Sequence, residues 1–578
     1  NDNISPYMPP SSGTADLNPL PGKPSIQTAV PPSIWRRRSF QAALLCLAAF
    51  LISAAVAHGV FDALPHLEDE QANLFQAMVF ARGELAAPAP PSRDAFFIPF
   101  TIVQNGIWFG KYTPGYPLVL ALGVLAGAPW IVNALASALI LWATYLIGRD
   151  LFGADAGVLG AALGAVSPAF VILSGSLLPH PAAAALLAFF AWGLLRARRA
   201  GEKRAALYSL LSGSALGLAA LCRPWTALAV ASPFIALAAV DGMRAVWGWI
   251  GGIGKNRQGR TAGNKKQGRA ADEKQGRTGN KKEGRSATCP REAGVRPYGF
   301  IRAYLPLMVT CIAISALLPL FNWAVTGSPF TNTYTLWWSY DTVGFGPGIG
   351  RDEGHTLVLA FTNAKLDLAA FRTALLGWPA PFGIPLVLLP LLAGLILAPR
   401  SRRDLLLMAP PLALILFQLA YWARAGSFYG GRYYSEGMPF LWLLAARGLL
   451  KFAAGKWRKR LVRLALPVLL AWGIAFQIQP RFAEGRGLYG ITGEAPAEVA
   501  AAGLRNALVF VRTGKWTDFA NLACLNSPWL DGEVVFVRDM GSWGNADIID
   551  FFPGRAVYLF DFQRSDSRLS SYEIPPYL

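Results

Sequence analysis

The chain has 578 residues, 53% of them hydrophobic and only 15% charged, and carries a formal net charge of +19. Several uncharged stretches of 17 or more residues are each long enough to cross a bilayer core, which excludes an ordinary soluble enzyme and defines a multi-pass membrane protein. Cysteine usage adds little: of five cysteines, only Cys524 falls on the outer side in the reading below, and no pair has metal-ligand spacing.

Residues 1–39 are rich in Pro, Ser and Asn and lack the apolar core and cleavage site of a signal peptide, so they read as a disordered tail. Arg36, Arg37 and Arg38 precede the first span and mark that tail as cytoplasmic. Eleven spans follow, at about 40–60, 130–148, 156–175, 181–197, 205–221, 225–241, 303–323, 381–398, 405–422, 436–450 and 462–478. The apolar segment 115–127 is short for a span and reads as a helix lying at the interface. Charge supports that choice, because the inner short stretches then hold 20 Lys and Arg in 78 residues against 9 in 124 outside. The first loop (61–129) and everything after 478 therefore face outward. This predicts a bacterial inner (plasma) membrane protein with a cytoplasmic amino terminus and an extracytoplasmic carboxyl-terminal domain.

The first outer loop opens with Glu68, Asp69 and Glu70 in "GVFDALPHLEDEQANLFQAMVFARGEL". In a helix there, Asp69, Asn73 and Gln76 share one face while Leu74, Met78 and Ala81 share another, which predicts an amphipathic helix resting on the outer membrane surface. The triplet also has a plain explanation as a helix start favoured by the dipole. Further along, Lys111 in "WFGKYTPGYPL" lies on a Pro/Gly-framed turn at headgroup height, placed either to snorkel or to hold a lipid phosphate. A carboxylate and a cation in one outward loop suggest a reaction on a lipid-phosphate donor.

The loop 242–302 is a Gly/Lys/Arg tract in which Arg260, Arg269, Arg277 and Arg285 recur. No aromatic residue interrupts it to stack a base, so disorder beside the anionic inner leaflet is favoured over a nucleic-acid partner. In the outer loop 325–380, "TLWWSYDTVGFGPGIGRDEGHT" is aromatic enough to form a lid. Its "GFGPGIG" follows no strand and reads as a flexible loop, and Arg351, Asp352, Glu353 and His355 either touch substrate or form a solvated surface pair, the second being favoured. Residues 479–578 contain short β-branched runs at 507–511, 533–537 and 556–560, with a helical "GNADIIDFFPG" before the last. These predict a small extracytoplasmic α/β domain whose Arg538, Asp539 and Asp547 either bind acceptor or dock on the membrane part.

The segments "LEDEQANLFQAMVFARGEL", "GKYTPGYPLVLALG", "LCRPWTALAVASP" and "YGGRYYSEGMPFLWLLAARGL" resemble the GT-C membrane glycosyltransferases, in particular the bacterial protein-mannosyltransferase-like group that includes the aminoarabinose transferase. The resemblance covers residues 40–478. It implies a mainly α polytopic fold, a catalytic carboxylate at Asp69 with Glu70 beside it, and donor phosphate contact by Lys111. That group places an acid two positions before the lysine, where this chain has Phe109.

The chemistry agrees. Transfer from a polyprenyl-phosphate sugar needs a carboxylate to take the acceptor proton, cations to hold the departing phosphate, and exclusion of water. Asp69 serves the first need, and Lys111, Arg223 and Arg432 serve the second. His180, Tyr433 and Tyr434 are further substrate-binding candidates, each with an ordinary structural alternative. Asp69 and Glu70 are compatible with a divalent metal, but spacing identifies no third ligand, so no cofactor is assigned. The acceptor is a lipid, a protein or a glycan. The competing class is a secondary transporter or flippase of lipid-linked glycans, which calls for ionisable residues at mid-span; the eleven spans carry essentially none.

Overall fold

The computed structural model describes residues 32–263, 297–381, 385–396, 402–564 and 568–572. Most of the amino-terminal tail and the central part of the basic loop, including Arg269, Arg277 and Arg285, lie outside the described residues.

Among the described residues, seven helices are long and apolar enough to cross a membrane: Arg36–Gly59, Ile131–Phe152, His180–Ala197, Arg204–Cys222, Pro224–Trp247, Phe300–Thr326 and Lys456–Gly490. The span expected at 156–175 is a pair, Ala154–Ala165 and Pro168–Gly175, bent by 64°. Pro168 at the start of the second helix explains the break, since proline supplies no N–H to continue the first. The remaining three expected spans are shorter helices, Leu388–Ile396, Arg402–Gln418 and Met438–Phe452. The last of these is buried among its neighbours, with Trp442 and Leu443 fully covered. Gly394 and Gly448 let two of these helices touch: a Cβ on Gly448 would strike the carbonyl of Pro390 and sit 2.7 Å from the Gly394 nitrogen.

The segment expected at the interface is an eleven-residue helix, Gly115–Leu125, with Leu118, Leu122 and Leu125 exposed on one side. Its first residue must be glycine, because a Cβ there would collide with the backbone of Leu221 and Cys222. That close approach brings the first loop against the end of the span that carries Arg223.

The first loop is more elaborate than a surface helix. Helix Glu68–Ala81 is covered on most sides, with residues 70–77 all buried. It is followed by a three-stranded antiparallel sheet, ordered β1-β3-β2, from Ala87–Pro88 (β1), Thr101–Gln104 (β2) and Ile107–Gly110 (β3). Asn105 and Gly106, with φ of 52° and 78°, make the tight turn between β2 and β3 that follows the twist of the strands.

The carboxyl-terminal region forms the expected α/β unit. Strands Ala507–Arg512 (β4), Val534–Arg538 (β5), Ala556–Asp561 (β6) and Leu569–Ser571 (β7) are ordered β5-β4-β6-β7, parallel except for β7. The runs alternate in what they bury. Leu508, Phe510, Val535 and Val537 pack with Phe75, Val79 and Trp108 of the first loop. Val509, Val511 and Phe536 pack instead with Phe519 and Leu522 of helix Trp516–Ala523.

The helix expected to rest on the membrane surface is therefore clamped under this domain, because its second face, carrying Phe75 and Val79, has the sheet to bury against. Arg82 completes the joint with a 2.8 Å ion pair to Asp531. Arg538 and Asp539 take part in packing: the Arg538 N–H donates to the Ala95 carbonyl at 2.8 Å, and Asp539 accepts from Arg512 at 2.9 Å.

Candidate active site

Between the first loop, the adjoining ends of the spans and the carboxyl-terminal domain lies a cavity of about 960 Å³. Of the sequence candidates, Asp69, Lys111, His180, Arg223, Arg432 and Tyr433 line it; Glu70 and Tyr434 do not.

Asp69 sits in the first turn of helix Glu68–Ala81 and keeps 25% of its side chain exposed. One carboxylate oxygen accepts from the Tyr112 hydroxyl and the other from Arg432 Nη2 at 3.0 Å. Burial works against its charge, but the Arg432 guanidinium, the Tyr112 hydrogen bond and the Lys111 ammonium together outweigh it and hold the carboxyl below its usual range. It is an ionised acceptor at neutral pH.

Glu70 has a different job. Its carboxylate accepts from the backbone N–H of His66 at 2.6 Å, Leu67 at 3.0 Å and Leu177 at 2.9 Å. It closes the helix start and ties it to the turn before His180, as a carboxylate at this helix position commonly does. Its expected place beside Asp69 in a catalytic pair is corrected accordingly. Among the described residues, no three His, Cys, Asp or Glu gather as a metal site.

Lys111 follows β3 directly and is almost fully enclosed, with 3% of its side chain exposed. Its Nζ donates to Asp341 at 3.1 Å and lies 3.8 Å from the Phe100 ring centre and 4.7 Å from that of Trp338. Burial depresses its pKa, and Asp341, Asp69 and Glu68 oppose that fall. Phe109, where the resembled group has an acid, is buried in an apolar cluster with Ile102 and Phe321.

Arg223 and His180 form a connected group with Glu436, a fully buried residue that sequence reasoning passed over. Arg223 contacts Glu436 at 3.1 Å and His180 Nε2 at 3.1 Å, while His180 Nδ1 lies 3.2 Å from Glu436. A neutral imidazole with its proton on Nδ1 satisfies both contacts. Tyr433 stacks on His180 with ring centres 5.9 Å apart. Tyr434 turns the other way, into the core beside Phe371.

The expected lid is a wall. Its glycines at 344, 346, 348, 350 and 354 all have positive φ, and the loop is pinned by bridges from Val343 to Tyr421 and Gly346 to His355. Arg351, expected at the solvated surface, lines the cavity with its guanidinium over Trp338 and Trp422 at 5.3 and 5.7 Å. His355 is buried, its Nε2 2.9 Å from the Leu419 carbonyl. The opposite wall includes Tyr489, Trp516 and Thr517 of the carboxyl-terminal region.

A helical bundle with a cavity between it and an α/β domain is a fold that this chain shares with solved membrane glycosyltransferase structures. The chain is similar to ArnT from Cupriavidus metallidurans bound to undecaprenyl phosphate, with a TM-score of 0.53 at 12% identity over 94% of this chain and 97% of that one. It is also similar to the apo form of that protein (TM-score 0.49, 13% identity, 88% and 92% covered). An oligosaccharyltransferase from Archaeoglobus fulgidus aligns with a TM-score of 0.41 at 14% identity, over 88% of this chain and 66% of that one. The family model described as dolichyl-phosphate-mannose-protein mannosyltransferase matches residues 117–252, a segment that holds His180 and Arg223 but neither Asp69 nor Lys111. No curated protein sequence matches the chain.

Proposed function

We propose that this cavity transfers a sugar from a polyprenyl-phosphate carrier to a hydroxyl of an extracytoplasmic lipid, protein or glycan acceptor. The observation that carries the reading is an ionised, partly exposed Asp69 sharing one cavity with Lys111, Arg223, Arg351 and Arg432. The protein of like fold seen with undecaprenyl phosphate supports the donor class.

In this reading the acceptor oxygen attacks the anomeric carbon as the bond from that carbon to the phosphate oxygen breaks. The acceptor proton passes to Asp69, and the electron pair leaves with the polyprenyl phosphate. One displacement inverts the anomeric centre. The low basicity of Asp69 means that proton transfer accompanies bond formation rather than preceding it. The guanidiniums and the lysine offset the charge that develops on the departing phosphate.

Two features fit an anionic ligand. Lys111 Nζ has a single hydrogen-bond acceptor among the described residues, leaving two of its three N–H groups unpaired. Among the described residues, the Arg432 Nε is buried without a hydrogen-bond partner.

The test is mass spectrometry of envelope lipids and glycans from cells carrying either the wild-type chain or Asp69→Asn. A glycosylated product present only with the wild type, alongside a build-up of polyprenyl-phosphate sugar in the variant, is expected. Identical profiles would overturn the reading.

A further inference from the structure

Asp341 lies in the aromatic loop expected to form a lid but was given no role of its own, yet it is only 3% exposed and faces the cavity. Both of its oxygens are engaged by fixed groups: Oδ2 accepts from Lys111 Nζ at 3.1 Å and Oδ1 from Trp422 Nε1 at 3.1 Å. These three residues come from three separate outer segments, and a second bond knits two of them, the Thr333 hydroxyl donating to the Lys111 carbonyl at 2.6 Å.

An enclosed ammonium needs such support. Aromatic faces attract it but accept no conventional hydrogen bond, and without a carboxylate the neutral amine becomes the cheaper form. Trp422 in turn prevents Asp341 from swinging towards solvent.

We propose that Asp341 is a positioning residue, which holds the Lys111 ammonium charged and aimed into the cavity so that its two remaining N–H groups meet a phosphate-bearing lipid. The inference rests on the donor class proposed above. It assigns to Asp341 the role of the acid missing at Phe109, supplied from a separate segment of the chain.

The inference predicts a pH signature. The charged or titratable groups facing Lys111 are Glu68 and Asp69 from the acidic helix, Tyr112 beside it, and Tyr334 and Asp341 from the outer loop. A phosphate monoester completes its own ionisation near pH 6, so above about 7.5 the lysine is the group whose charge governs binding. Removing Asp341 lowers the pH at which Lys111 loses its proton, and affinity then falls as pH rises.

The experiment uses the full chain in nanodiscs and compares undecaprenyl phosphate with undecaprenol between pH 6.5 and 9.5. Wild type is expected to prefer the phosphate. Asp341→Asn should bind it about tenfold more weakly at pH 8, a change of about 1.4 kcal/mol, with the deficit widening towards pH 9.5 and undecaprenol binding unchanged. Asp341→Glu should restore most of the affinity. Lys111→Arg added to Asp341→Asn should remove the pH dependence, because a guanidinium stays charged throughout. Wild-type affinity in Asp341→Asn across the whole range would overturn the positioning role while leaving the donor class intact. Equal wild-type binding of the two lipids would overturn both.

Discussion

Arg432 Nη2 lies 3.0 Å from Asp69 Oδ2, joining residues 363 positions apart in the sequence. The contact fixes the carboxylate against the cavity wall while Tyr112 holds its other oxygen. Asp69→Asn keeps the size of the side chain but removes its charge and most of its capacity to take a proton. Transfer should fall by about 10²–10⁴, the usual worth of a positioned base. Turnover in membranes containing matched amounts of folded protein checks this, and activity within a factor of a few of wild type would remove Asp69 from the chemistry.

Glu70 makes the contrasting case. Glu70→Ala would strand the N–H groups of His66, Leu67 and Leu177, each costing about 1–3 kcal/mol when buried without a partner. Thermal unfolding should reveal a clearly less stable protein. A variant as stable as wild type would show that water or a neighbour replaces the carboxylate.

Glu70 also predicts a pH effect on stability. Burial pushes its carboxyl up to about 7 from an ordinary 4.5, against the pull of its three backbone donors. The folded state then holds a proton where the unfolded chain has lost it, so this contribution is complete below about 4.5 and disappears as pH rises through about 7. Glu70→Gln cannot ionise, so the melting temperature of Glu70→Gln minus that of wild type should rise between pH 5 and pH 8. A constant difference would refute the shift.

The joint between the first loop and the carboxyl-terminal domain rests on Phe75, whose ring centre is 4.4 Å from that of Trp108 and which packs with Leu508 and Phe510. Phe75→Ala should cost about 3–5 kcal/mol. Limited proteolysis should then cut between residues 478 and 507 faster than in wild type. An unchanged cleavage rate would mean that the domain is held elsewhere.

The sequence was readable where one periodicity or one charge bias decides the outcome. Apolar length marked the membrane helices, and β-branched runs marked β4, β5 and β6, because each of those elements is apolar along nearly its whole length. The Asn105–Gly106 hairpin was also legible from its turn residues and was passed over. Asp341 and Glu436 were not legible, since each matters only through a partner far along the chain: Asp341 through Lys111, 230 positions away, and Glu436 through His180, 256 positions away. The helix holding Asp69 misled for a related reason. Its Asn73 and Gln76 suggested a wet face, whereas Asn73 donates to the Asp69 carbonyl and Gln76 both donates to Leu85 and accepts from Gly110. Polar side chains that satisfy buried backbone look the same in sequence as those that face water.

The Arg223–Glu436 pair offers a last test, because it separates support from contact. Glu436 is fully buried and meets both Arg223 and His180, so Glu436→Gln leaves the guanidinium without its counter-charge. Breaking one side of a buried pair typically costs about 3–5 kcal/mol, more than replacing both sides with apolar groups. Glu436→Gln and Arg223→Met should therefore each destabilise the protein strongly, while Arg223→Met with Glu436→Met should lose less than the sum of the two singles, a coupling that a thermodynamic cycle measures. Activity should behave otherwise: if Arg223 touches the donor phosphate, the double variant recovers stability without recovering donor binding. Recovery of both together would make Arg223 a purely structural residue and leave Lys111, Arg351 and Arg432 as the cations that meet the phosphate.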